Sequence, residues 1–197
     1  MKMAKPIVAR WEWRTFGAGF EEPEARIRKF EQSNMKESEE VYVLSRNSDE
    51  NVKVRDDLLD IKQLQEVNGD GLEQWYPVMK AGFPISVEDL KKLFSYFKVP
   101  EPLFGRREYT FSQFLDEIVR PNQNLRLVHV GKKRHIYVIN GAIVEIAETD
   151  FDGVTLQTIC VEHEDPDLVM KTVRQLALED LPNINYIQAM KKTVGMA

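Results

Sequence analysis

Two dipeptides in the second half of the chain leave little choice of fold. "LRLVHVGKKRHIYVI" (125–139) runs into Asn140-Gly141, "AIVEIAETDF" (142–151) runs into Asp152-Gly153, and "VTLQTICVEHE" (154–164) follows. Asn-Gly and Asp-Gly accept the positive φ angles of two-residue hairpin turns. So short a link joins only antiparallel neighbours. The first half keeps the same rhythm. "IVARWEWRTF" (7–16) reads as a strand, within a run from 6 to 16. "EVYVLSR" (40–46), "VKVRD" (52–56), "LLDIKQLQEV" (58–67) and "LEQWYPVMK" (72–80) are parted by the polar turns "NSDEN" and "NGDG". Such a series is an antiparallel meander. Pro77 sets its run at an edge or at a strand end.

Helical patterns fall between the strand blocks. "EEPEARIRKFEQSN" (21–34) is helix-compatible, with Pro23 and acidic residues in the first turn and Ile27, Phe30 and Met35 toward the core. "SVEDLKKLFSYFKV" (86–99) opens on Ser86 with Asp89 three residues on, a capping signature. Its Val87, Leu90, Leu93, Phe94 and Phe97 form one apolar stripe. Thr110 caps a short helix at 111–119, and further helices are expected at 167–178 and 184–194. The order predicts one α+β domain over 1–197, with a helical segment at about 82–124 that, set beside the family resemblance below, counts as an insertion. Its largely antiparallel sheet has about eight or nine strands, enough to close or nearly close into a barrel.

Composition narrows the function classes. Hydrophobic residues make up 43% and charged residues 30% of 197 residues, a globular balance. No apolar run reaches membrane-span length, and no export signal is seen. Cys160 is the single cysteine, which fits a reducing, cytoplasmic setting. A net charge of −5 does not support a general nucleic-acid binder. Neither the phosphate-loop motif nor the glycine-rich dinucleotide motif is present. His129, His135 and His163 lack zinc spacing. Cys160 reads as buried, and Trp11 and Trp13 as packed beneath a helix.

The charges recur at alternate positions. Arg10, Glu12 and Arg14 share one face of the first strand, opposite Ala9, Trp11 and Trp13. Lys53 and Arg55 are two apart, as are Lys132 and Arg134, Glu148 and Asp150, and Glu162 and Glu164. Lys62 lies among Leu59, Ile61 and Leu64. A solvated outer face accounts for any one of these strands. Their recurrence, cations on some strands and acids on others, also fits a polar lumen. Such a lumen would suit a phosphate chain bridged to a divalent metal, with Arg and Lys on phosphoryl oxygens and carboxylates on the metal.

In this order the segments resemble the CYTH superfamily, the triphosphate tunnel metalloenzymes. The first strand is similar to that family's ExExK motif. "VKVRD", "DIKQL", "KKR", "VEIAETDFDG" and "TICVEHE" resemble its later strands, and "NINYIQAM" its C-terminal segment. The resemblance implies an eight-stranded antiparallel barrel around a tunnel that takes a triphosphate or polyphosphate with Mg²⁺ or Mn²⁺. The family's activities include hydrolysis of inorganic triphosphate, thiamine triphosphate and RNA 5′-triphosphate ends, and cyclisation of ATP. It implies phosphate contacts from Arg10, Arg14, Lys53, Arg55, Lys62, Lys132 and Arg134. Metal ligands would come from Glu12, Glu145, Glu148, Glu162 and Glu164, and catalytic roles would fall to Glu12, Lys62 and Glu162. Strict alternation pairs Glu148 with Asp150, whereas the family pattern favours Glu145. A β-bulge would reconcile the two.

The first motif departs from the pattern. Arg14 replaces a Lys, and Arg10 stands where the family places a metal-binding Glu. The resemblance implies metal-dependent hydrolysis of a triphosphate or polyphosphate, while Arg10 motivates the first alternative to it. The alternatives are a binding module with little or no catalysis and, third, an adenylate cyclase. The expected partner is a small molecule carrying the phosphate chain, nucleic acid entering only as a 5′-triphosphate end. A homodimer is compatible with the sequence.

Overall fold

Residues 8–196 are described by a computed structural model. Pro6 and Ile7, which the first strand was expected to include, lie outside them. The strands are β1 (Arg10–Gly17), β2 (Gln32–Ser45), β3 (Asn51–Arg55), β4 (Leu58–Val67), β5 (Glu73–Gly82), β6 (Ile85–Ser86), β7 (Glu108–Tyr109), β8 (Leu125–Ile139), β9 (Ala142–Phe151) and β10 (Val154–His163). Eight of them close a barrel in the order β1-β10-β9-β8-β2-β3-β4-β5, while β6 and β7 form a separate two-stranded ribbon. Adjacent barrel strands are antiparallel throughout. Both expected hairpins form, with positive φ at Asn140, Gly141, Asp152 and Gly153. A third tight turn, at Asp56-Asp57, also has positive φ at both residues. It carries no glycine, so the sequence signal was weak.

Among the described residues, five helices flank the barrel: α1 (Glu21–Ile27), α2 (Val87–Phe97), α3 (Phe111–Gln113), α4 (Pro166–Gln175) and α5 (Tyr186–Thr193). A π-helical turn at Phe114–Val119 continues α3. Ser86 Oγ accepts from the Asp89 amide and caps α2. Thr110 and Gln113 form a reciprocal capping box. Alpha-helix α1 is shorter than its sequence suggests. It stops at Ile27, and Gln32 already begins β2. Pro23 and Ile27 are buried as expected, but Phe30 and Met35 are exposed. The polar run 32–39 has no periodicity of its own and is held as strand by pairing with β8 from Gly131 to Tyr137.

Three apolar layers follow from strand alternation. One outer face, formed by β2 to β5, packs Val43, Val52, Val54, Leu59 and Ile61 against α2 and the π-helical turn. The helical segment between β5 and β8 therefore lies on the barrel wall. The other outer face packs Trp13, Val144, Ile146, Ile159 and Val161 against α1 and α4. The third layer lies inside. Phe16, Tyr42, Leu44, Val128, Val130 and Phe151 point into the barrel and meet Tyr186, Ile187 and Met190 of α5. The lumen is thus a cup with an aromatic floor.

The seam between β1 and β5 is short, with three register pairs from Arg10↔Trp75 to Glu12↔Glu73. Beyond it the segment before α5 takes over. Asn183 Oδ1 accepts from the Arg14 amide at 2.9 Å, and the Ile184 amide donates to the Arg14 carbonyl at 2.6 Å. Pro77 lies past the end of this seam and opposite Lys62, at a register shift between β4 and β5. Its missing N–H is accommodated there.

Candidate functional site: a charged cup inside the barrel

Each strand contributes its inward residues to one cavity of about 210 Å³. Glu12 and Arg14 come from β1, Lys53 from β3, Lys62 from β4, Lys132 and Arg134 from β8, Glu145 from β9 and Glu162 from β10. That places five cations against three carboxylates in the cavity wall. Six of these eight stand at alternate charged positions in the sequence, while Lys62 and Glu145 were named from the resemblance. Arg10 stands at the rim, and half-exposed Arg55 reaches the cup wall only through Glu40. Glu148 is exposed, its parity opposite to that of inward Glu145. The pairing of β9 with β8 and β10 shows no register shift, so no bulge brings Glu148 inside. Glu164 is exposed beyond the end of β10.

The sequence reading missed the charge that organises the basic wall. Glu40 of β2 is buried; Lys132 Nζ donates to it at 2.8 Å, Arg55 Nη1 at 3.2 Å, and Lys53 Nζ lies at 3.7 Å. Burial pushes the Glu40 carboxyl up, but Lys132 and then Lys53 outweigh it and hold it down at about 2. Burial pushes the Lys132 ammonium down to about 7 against the pull of Glu40, and Lys53 and Arg14 add to the lowering. Burial likewise lowers Lys53. Lys132 also donates to Tyr42 Oη at 2.8 Å and lies 4.1 Å from the Tyr186 ring centroid.

The acidic side is equally tied. Arg14 Nε donates to Glu12 at 2.8 Å and its Nη1 to Glu145 at 3.3 Å, while Arg10 Nη1 donates to Glu162 at 2.9 Å. The Arg14 guanidinium also stacks 4.6 Å from the Tyr186 ring centroid. Burial, and then the charge of Glu12, raise Glu162 above the usual carboxylate range. Glu73, opposite Glu12, is raised by burial and partly offset by donors from Asn185 and the Trp75 indole. Cys160 lines the cup as a buried thiol that burial pushes up, so it is not a ready nucleophile.

Two cations differ from the rest. Among the described residues, Lys62 has no carboxylate at ion-pair distance, and Arg134 donates only to Ser38 Oγ at 3.3 Å. Arg134 Nε is buried without a partner. A buried guanidinium N–H without an acceptor is costly. Its position in the cavity wall points to an anionic acceptor.

A divalent cation fits less well. Glu12, Glu145 and Glu162 supply hard oxygen donors on three neighbouring strands. Each is already taken by a guanidinium, and among the described residues no three acidic, histidine or cysteine side chains group to hold a metal ion. As arranged, the carboxylates do not fit the Mg²⁺ or Mn²⁺ that the resemblance implied.

No protein-family model matches the chain, and no curated protein matches it by sequence. Solved structures do match. The PH1012 protein of Pyrococcus horikoshii superposes with a TM-score of 0.52 at 18% identity, covering 90% of this chain and 97% of that one. HpAC1 of Hippeastrum, described as an adenylyl cyclase candidate with a dominant triphosphatase activity, superposes with a TM-score of 0.52 at 13% identity, covering 93% and 96%. This chain shares their fold, a closed antiparallel barrel of eight strands. In this barrel the alternate charges of β1 form a salt-bridge ladder, Arg10 with Glu162 and Arg14 with Glu12 and Glu145.

Among the described residues, no helix is long and apolar enough to cross a membrane.

Proposed function

We propose that the cup binds the triphosphate or polyphosphate group of a small molecule. The observation that carries this reading is the pair Lys62 and Arg134, which face the cavity without a carboxylate among the described residues. The buried, unpartnered Nε of Arg134 belongs to the same pair. A chain of phosphoryl groups supplies several acceptors along a narrow path, and an arginine fork suits them. The aromatic floor sets the depth, so the phosphate end enters first and the rest of the molecule stays toward the rim.

Calorimetric titration with tripolyphosphate tests this, with orthophosphate and sulfate as controls. Tripolyphosphate should bind and the single-unit anions only weakly, and Arg134→Ala should weaken binding about tenfold or more. Equal affinity for all three anions, or no effect of Arg134→Ala, would overturn the reading.

A second reading is cleavage of the phosphoanhydride bond. The triphosphatase activity described for HpAC1, on a similar fold, favours it. Phosphate release from tripolyphosphate and ATP, measured with Mg²⁺ and Mn²⁺ in turn, separates turnover from binding alone, and cyclic AMP would mark a cyclase.

A further inference from the structure

The acidic side of the cup is closed from within by two guanidinium groups. Arg14 is only 8% exposed in its side chain and touches Glu12, Glu145, Thr158 Oγ1 and the Tyr186 ring together. Turning it toward a phosphate would leave two half-buried carboxylates facing each other without a cation, a costly state. Arg10 lies on the same face of β1 and holds Glu162 at the rim. A guanidinium keeps its charge at any ordinary pH, so these carboxylates are not released by titration of their partners.

We infer that this chain takes its oligophosphate as the metal-free anion, with Arg10 and Arg14 standing on Glu12, Glu145 and Glu162 in place of a divalent cation. The inference rests on the oligophosphate reading above. It divides the work between two sets of cations: Lys62 and Arg134 meet the ligand, while Arg10 and Arg14 neutralise the acidic wall. Free Mg²⁺ then acts as a competitor, because chelation lowers the charge of the oligophosphate in solution and opens no new contact in the cup.

Two titrations test it. In the first, Mn²⁺ alone is followed by its paramagnetic resonance signal against wild type, Arg10→Glu and Arg10→Gln, each checked for folding by circular dichroism. Wild type and Arg10→Gln should leave Mn²⁺ free, and Arg10→Glu should gain one bound ion. In the second, tripolyphosphate is titrated calorimetrically into wild type with a chelator and then with excess Mg²⁺. Affinity should be unchanged by the chelator and reduced by Mg²⁺. Stoichiometric Mn²⁺ binding by wild type, or an affinity about tenfold weaker under chelation, overturns the inference. A folded Arg10→Glu protein that gains no ion overturns the role given to Arg10. If Arg10→Glu does not fold, the wild-type measurements decide. Tripolyphosphate that binds only with metal overturns this inference and keeps the oligophosphate reading; no binding under any condition overturns both.

Discussion

Glu40 and Lys132 show how far a single pair of side chains governs the cup. The Glu40 side chain is 1% exposed and that of Lys132 5%, and they meet at 2.8 Å. Removing one partner of so buried a pair strands the other, so Glu40→Gln should cost roughly 3–5 kcal/mol in chemical denaturation. A loss below about 1 kcal/mol would place the pair among ordinary surface bridges. Lys132 also gives the site a pH signature. Its ammonium, at about 7 in the folded protein, lies below its ordinary value of 10.5. Between those values the unfolded chain binds the extra proton, so this group's contribution makes stability rise with pH across that window. Ligand binding has the opposite sign, because an oligophosphate favours charged Lys132. At about pH 8 tripolyphosphate should bind with proton uptake, seen as binding heats that differ between buffers of unlike ionisation enthalpy, and Lys132→Arg should abolish the difference. The sequence made Lys132 visible because Arg134 lies two residues away with the same sign. It hid Glu40, whose neighbours on the same face are Ser38 and Tyr42, so a search for like charges at alternate positions passed over it. The clue was parity alone, since Glu40 alternates with the apolar Val41 and Val43.

At the scale of elements, the parts with local signals were legible and those fixed by partners were not. The hairpins flanking β9 follow from Asn140-Gly141 and Asp152-Gly153, and the stripe of α2 from Leu90, Leu93, Phe94 and Phe97. The start of β2 was misread as the end of a helix because residues 32–39 alternate nothing apolar and take their form from β8. Helix α5 was recognised as a helix, yet its role as the floor depends on contacts with the barrel interior that no local pattern carries. That role is testable at Tyr186, whose ring lies under the cations of Arg14 and Lys132 and meets the rings of Phe16 and Phe151 edge-on. Tyr186→Ala should cost about 3–5 kcal/mol, as other large aromatic truncations do. Tyr186→Phe should be neutral or stabilising in thermal melts, because the Tyr186 hydroxyl is buried without a hydrogen-bond partner. A marked drop on Tyr186→Phe would mean that the hydroxyl has a partner in solution.

Across the whole molecule, an acidic chain surrounds a cup whose wall holds more cations than carboxylates. Closure of that cup depends on residues far apart in sequence. Beta-strand β1 has its long pairing with β10, its short seam with β5, and Arg14 tied to Asn183 across 169 positions. Ending the chain at Leu181 should therefore lower the melting temperature and abolish tripolyphosphate binding together; retained binding would show that the floor is dispensable. The same seam sets an order of events during synthesis. A ribosome releases β1 first, but the strand cannot be sealed until residues 183–187 have left the exit tunnel, so contacts of such long range form late. A half-made chain has its charged strands already exposed and no closed cup around them. The cup is therefore completed late, and a chain stopped short of residues 183–187 has the wall without its seal.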